Sequence, residues 1–209
     1  MLPHPEKYKN LIFDFGGVII NIDYDLLIKS FSLIGLPHFE EYFSQANQRT
    51  LFDDYEKGKI SSDEFRKKLK EHCIDGTSDE QIDAAWNSMI LDLPKDRLDL
   101  LLKLKTTHRT FLLSNTNEIH IEFIYSYLQK TYGIKDLSAY FERVYLSYEM
   151  GMRKPDGEIF EKVLNDNTLD PAETLFIDDS AQHINAAHQL GIPTYLLDVK
   201  KESIIDLWK

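Results

Sequence analysis

The chain has one cysteine in 209 residues, Cys73. An internal disulfide is excluded, and the composition fits a reducing compartment. Cys73 falls in a helical pattern and reads as packing. Basic residues are scarce: 24 Lys and Arg face 35 Asp and Glu, for a net charge of −11. Nucleic acid is thereby excluded as the main partner, because phosphate backbones demand basic patches. An anionic substrate must be met by local positive groups or by a metal. No apolar run reaches the length of a membrane span, so no membrane partner is expected. The opening MLPHPEKYKN is polar and makes a poor signal peptide, so the expected location is cytoplasmic. There is no Gly-rich Walker loop, no GxGxxG and no GxSxG elbow, and no repeat or low-complexity segment.

Hydrophobic residues at 43% and charged residues at 28% fit a globular protein with room for a full core and one inserted subdomain. The chain is organised around Leu11 to Val18, LIFDFGGV. A short apolar run, Leu11-Ile12-Phe13, ends in Asp14 and is followed by Gly16 and Gly17. That pattern predicts a strand buried on both faces, as in a parallel sheet. Asp14 then stands at the carboxyl end of a strand, where open α/β sheets place their chemistry. Taken alone it could equally cap a turn.

Beyond Asp23 strand signals vanish and helical periodicity takes over. Leu26, Leu27, Phe31 and Ile34 share one face, and Phe39, Tyr42, Phe43 and Ala46 form another stripe. Leu51 to Gly58 reads as a short helix. Ser61-Ser62-Asp63-Glu64 has the form of a capping box, and Ser78 opens a helix carrying Ile82, Ala85, Trp86 and Met89. From Pro94 strands and helices alternate. Leu98, Leu101 and Leu102 mark one helical face. Strands are predicted at Thr110–Leu113, Val144–Ser147, Thr174–Ile177 and Thr194–Leu197. Helices between them carry Ile121, Ile124, Tyr125 and Leu128, then Ile159, Phe160, Val163 and Leu164. The last runs from Ser180 to Gly191 with Ala181, Ile184, Ala187 and Leu190 inward. The expected fold is α/β: a doubly wound parallel sheet, residues 1–22 and 93–209, with an inserted all-helical domain at 23–92.

Such a sheet gathers its carboxyl ends at one edge. There they present Asp14, Ser114-Asn115, the loop with Arg153 and Lys154, and Asp178-Asp179. Three carboxylates suit a hard cation such as Mg²⁺. A hydroxyl, an amide and an ammonium suit phosphate oxygens. A carboxylate facing metal and phosphate can attack phosphorus and form an aspartyl-phosphate. Each residue also has a plainer role. Ser114 and Asn115 are ordinary turn and cap residues, Lys154 could be a solvated lysine, and Arg153 could face solvent or an outer carboxylate. His120, His183 and His188 read as surface residues.

The set FDFGGV, LLSNTN, GMRKPD and FIDDS, in that order, resembles the haloacid dehalogenase superfamily of phosphohydrolases. LSNTN, YLSYEMGMRKPDGEIF and IDDSAQHINAAHQLGI look closer still to its branch of bacterial α-glucose-1-phosphate phosphatases. The helical insert sits where that superfamily has its cap domain. The resemblance implies Asp14 as nucleophile and Mg²⁺ ligand, with the Gly16 carbonyl and Asp179 as further ligands. Asp178 would bind the metal or hold its water. Ser114 and the Asn115 amide would hold the phosphoryl group, and Lys154 would bridge it to Asp14. The implied activity is hydrolysis of a small phosphorylated metabolite, such as a hexose 1-phosphate. The sequence leaves oligomeric state open.

One position departs from the pattern. Most phosphatases of the superfamily have an acid–base Asp two residues after the nucleophile, where this chain has Gly16. Asp23 is a candidate replacement. Alternatively the substrate has a good leaving group, as an anomeric hydroxyl is. A 2-haloacid dehalogenase would use the same Asp without metal or acid, but Arg49 and Arg66 are the only arginines in the insert and neither is a clear halide ligand. A phosphosugar-binding protein impaired in turnover is the third reading. The insert is expected to act as a lid. Tyr55, Glu56 and Lys57 beside Gly58 are possible substrate contacts or a solvated helix end.

Overall fold

The computed structural model describes residues 4–39 and 46–209, with no side-chain description at 46–49. Tyr42, Phe43 and the side chains of Ala46 and Arg49 therefore lie outside the described residues.

Strand β1 (Asn10–Phe13) is buried along its whole length and lies at the centre of a five-stranded parallel sheet. It pairs on one side with β2 (Arg109–Ser114) and on the other with β4 (Thr174–Asp178). Strands β3 (Arg143–Leu146) and β5 (Thr194–Leu196) close the edges, giving the order β3-β2-β1-β4-β5. Alternation sends Leu11, Phe13, Leu112, Leu175 and Ile177 into one apolar layer. Ile12, Phe111, Leu113 and Phe176 enter the other. Both faces are covered, as apolar strands without a polar side require.

The chain leaves the sheet after Ile22, which pairs antiparallel with Ile90, so exit and return are adjacent. Between them run α1 (Tyr24–Leu33), α2 (Ala46–Glu56), α3 (Ser62–Lys70) and α4 (Asp79–Asn87). Ser61 with Glu64, and Ser78 with Gln81, make full capping boxes. Asp23 is the N-cap of α1, its carboxylate accepting from the Asp25 amide. The helical unit has an aromatic interior: Phe31 stacks on Phe39 at 4.2 Å, and Tyr55 on Phe65 at 4.1 Å. Each such pair contributes roughly 0.5–1.5 kcal/mol beyond its buried area.

The remaining helices are α5 (Lys95–Leu104), α6 (Glu118–Tyr132), α7 (Ser147–Met150), α8 (Gly157–Asn167) and α9 (Ala181–Gln189). Three details differ from the sequence expectation. Leu102 is exposed, because α5 buries Leu98, Leu101 and Leu104, one turn apart along the other flank. Ala181 is exposed, since the first turn of α9 stands clear of the sheet and only Ala187 is fully buried. Ser147 opens α7 instead of ending β3, and its hydroxyl holds the Thr116 backbone: it accepts from the amide and donates to the carbonyl, both at 2.9 Å. No helix among the described residues is long and apolar enough to cross a membrane.

Candidate active site

The switch point of the sheet lies between β1 and β4, because the chain winds outward through β2 and β3 and then returns across β1. Ligands bind at such a crevice. Asp14 follows β1 there, and Asp178 ends β4 beside it. Lys154 enters from the loop after α7, with its side chain fully buried. Its Nζ donates to Asp14 Oδ1 at 2.5 Å and to Asp178 Oδ2 at 2.7 Å. Burial alone would discharge a lysine, but the two carboxylates outweigh it and push the ammonium up. Asn115 fixes the lysine from behind: its Oδ1 accepts from the Lys154 amide at 2.9 Å and its Nδ2 donates to the Lys154 carbonyl at 2.8 Å.

Asp14, Asp178 and Asp179 place ligand oxygens within 4.8 Å of one another. They are not alike. Burial would raise Asp178, but Lys154 and His183 overcome it and hold the carboxyl at about 2. Its Oδ1 also accepts from the Ser180 amide at 2.8 Å. Burial lifts Asp14 to about 7, against the pull of Lys154 and with the help of Asp178 and Asp179. Burial and then Asp178 lift Asp179 to about 6. Three carboxylates thus share one ammonium. The surplus negative charge and the all-oxygen donor set fit a hard divalent cation. Gly17 allows this closeness: at φ +76° its backbone lies against Asp179, and a Cβ there would stand 2.4 Å from Oδ2. At Gly16 a Cβ would make only ordinary contact with Ile22, so space does not dictate glycine at that position.

Residues 8–191 match the model of the haloacid dehalogenase-like hydrolases. The chain belongs to this family. It is 36% identical to D-ribitol-5-phosphate phosphatase of Bacteroides thetaiotaomicron over 187 residues, 90% of each chain. A haloacid dehalogenase family enzyme of the same organism, solved with magnesium and inorganic phosphate, superposes with a TM-score of 0.85 at 44% identity, covering 97% of this chain and all of that one. A predicted haloacid dehalogenase-like hydrolase of Porphyromonas gingivalis superposes at 0.87 with 31% identity, over 97% of each chain.

In this family member Asp14, Lys154, Asp178 and Asp179 come together as the sequence suggested. Ser114 is buried at the end of β2, its hydroxyl directed to the Asn115 carbonyl at 3.4 Å. Arg153 faces carboxylates of the cap: Asp53, and Glu56 at 3.0 Å. Three readings need correction. His183 is not a surface residue; its Nδ1 lies 3.1 and 3.0 Å from the two oxygens of Asp178. His120 is half-buried too, because it stacks on Trp86 at 4.9 Å and bonds Asn87 through Nδ1 at 2.9 Å. Tyr55 to Lys57 are no solvated helix end. Tyr55 is buried with its hydroxyl on Ser62, and Lys57 pairs with Asp156 of the core at 2.7 Å. His188 is exposed as read.

LSNTN also joins core to cap. Asn117 caps α6 and accepts from Trp86 Nε1 of α4 at 3.2 Å. Burial pushes His120 down to about 3, so it folds neutral. A depressed histidine contributes stability above its unfolded pKa, and that contribution is lost as pH falls. The wild type is expected to lose stability between pH 6.5 and about 3 on this account, and His120→Phe to lose less. Urea unfolding of both proteins across that range checks this; parallel curves would show His120 to be solvated.

Proposed function

We propose that this chain is an Mg²⁺-dependent phosphohydrolase acting on a phosphorylated sugar or sugar alcohol, with residues 23–92 as its cap. The carrying observation is the buried Lys154 bridging Asp14 and Asp178, with Asp179 pressed on Gly17 beside them. Asp14 is the nucleophile. One of its oxygens is held by Lys154, which leaves the other to attack phosphorus. Ser114 Oγ and the Asn115 amide hold the phosphoryl oxygens, and Lys154 neutralises charge as the aspartyl-phosphate forms on Asp14. Mg²⁺, held by Asp14, Asp179 and the Gly16 carbonyl, would supply further neutralisation of the phosphoryl group. Asp178 is engaged through both oxygens, so its part is to position Lys154 and hold metal-bound water. Water then releases phosphate and restores Asp14.

The comparisons support this reading: a curated relative is a pentitol phosphate phosphatase, and a similar solved structure holds magnesium and phosphate. A hexose 1-phosphate, with its better leaving group, remains in the proposed substrate range. A dehalogenase has less support. Arg66, one of the two insert arginines, is committed to Asp83 by a bidentate contact at 2.8 and 2.9 Å. The test is one metal-controlled panel containing pentitol and hexitol phosphates, hexose 1-phosphates, p-nitrophenyl phosphate and 2-haloacids. The expected result is Mg²⁺-dependent phosphate release. Activity that survives exhaustive EDTA treatment would remove the metal, and halide release would remove the phosphatase.

A further inference from the structure

The helix end at Tyr55 to Gly58 is driven into the loop that carries Lys154. Gly58, at φ +63°, lies so close to Tyr148 that a Cβ would sit 2.1 Å from its carbonyl oxygen. Arg153 pairs with Asp53 and Glu56 on one side of Lys154, and Lys57 with Asp156 on the other. This docking shuts Glu56 Oε2 away from solvent. It lies 3.0 Å from an Arg153 nitrogen but in no hydrogen-bond geometry, and Arg153 Nε also has no partner. Glu56 shares the cleft with the acid cluster. It feels the charge of Lys154, and Tyr24 feels both Glu56 and the three aspartates. The carboxyl therefore lies on the docked edge of the cap, against the arginine that precedes Lys154.

We propose that Glu56, contributed by the cap, is the acid–base residue that Gly16 does not provide. The proposal rests on the phosphohydrolase reading above. In the first step Asp14 forms its bond to phosphorus, the bond from phosphorus to the leaving oxygen breaks, and the proton of Glu56 passes to that oxygen. In the second, Glu56 as carboxylate takes a proton from water while the water oxygen attacks phosphorus. The Asp14–phosphorus bond breaks, and phosphate leaves. Protons and charge balance over the cycle. Burial, opposed by Lys154, lifts Glu56 to about 7, while the Arg153 guanidinium 3.0 Å away favours the carboxylate that the second step needs. The other charged group facing it is Arg153, which also pairs with Asp53. Asp23 is occupied as the cap of α1. A cap-borne acid also couples chemistry to closure: with the cap lifted, the leaving oxygen has no proton donor.

The test compares wild type, Glu56→Gln and Asp53→Asn, the last touching the same arginine outside the cleft. Substrates are the sugar or polyol phosphate selected by the panel and p-nitrophenyl phosphate. Glu56→Gln is expected to lower kcat on the former by about 10²–10⁴-fold with KM little changed. On p-nitrophenyl phosphate, whose leaving group needs no acid, it should give a stoichiometric burst of nitrophenol and then slow turnover. Asp53→Asn should keep kcat. A Glu56→Gln kcat within about tenfold of wild type, a change in KM alone, or an equal loss in Asp53→Asn would overturn the proposal. If wild type itself shows no Mg²⁺-dependent hydrolysis, the phosphohydrolase reading fails first; if wild type is active and Glu56→Gln equally so, only Glu56 fails.

Discussion

Replacing Lys154 with methionine is expected to destabilise the protein by about 3–5 kcal/mol at pH 7.5 and to lower turnover by about 10²–10³-fold. Methionine matches much of the lysine volume, so packing against Phe176, whose ring centre is 5.3 Å from Nζ, largely survives. What is lost is the only cation bonded to both Asp14 and Asp178 among the described residues. The Asp178 side chain has no exposure, so water cannot replace that cation. Acid should relieve the defect. In the wild type Asp178 is depressed, and its stabilising contribution persists until pH falls towards about 2. In the variant burial acts on it unopposed by Lys154, its carboxyl rises, and protonation restores stability as pH drops. The stability gap should therefore narrow between pH 7.5 and 5 in urea titrations. A gap below about 1 kcal/mol at pH 7.5, the range of exposed pairs, would show that water reaches the cluster.

The parts of the fold legible in the sequence were those fixed by short-range pattern. Apolar runs ending in Asp14, Ser114 and Asp178 gave β1, β2 and β4, and a parallel sheet made their ends converge without further information. The Ser61 and Ser78 caps were legible for the same reason: a capping box is complete within four residues. Glu56 was not. In sequence it sits among charges beside a glycine, the pattern of a solvated helix end. Its burial comes from residues 148–156, about a hundred positions away in the chain. His183 and His120 failed alike, because the partners that bury them, Asp178 and the Trp86–Asn87 pair, are brought by tertiary packing. One clue to His183 was available: it stands one turn into a helix opening just after Asp178, so its ring could reach back to that carboxylate.

Asp14→Asn is expected to reduce turnover by roughly 10⁴–10⁶-fold, as loss of a nucleophile does, while making the protein more stable. The two effects have one cause. Asp14 is pressed into a buried site with two other carboxylates and one ammonium, and burial lifts it to about 7. Compared with an unfolded aspartate near 3.8, it resists ionisation when folded. A raised carboxyl costs stability, and the sign follows: the cost is absent below about pH 4, grows as pH rises to about 7, and is constant above. Asparagine keeps an oxygen to accept from Lys154 but never carries the charge. The variant and wild type should therefore melt alike at pH 4, and the variant should melt higher at pH 8. Mg²⁺ should narrow the difference at pH 8, because it binds the folded wild type, which has all three carboxylates, more tightly. Equal melting at pH 8 would mean that Lys154 already neutralises Asp14, and retained turnover would remove it as nucleophile. A gain in stability on losing activity is what a nucleophile held against its own electrostatics predicts. A turn-capping aspartate, the plain alternative for this position, would lose stability instead.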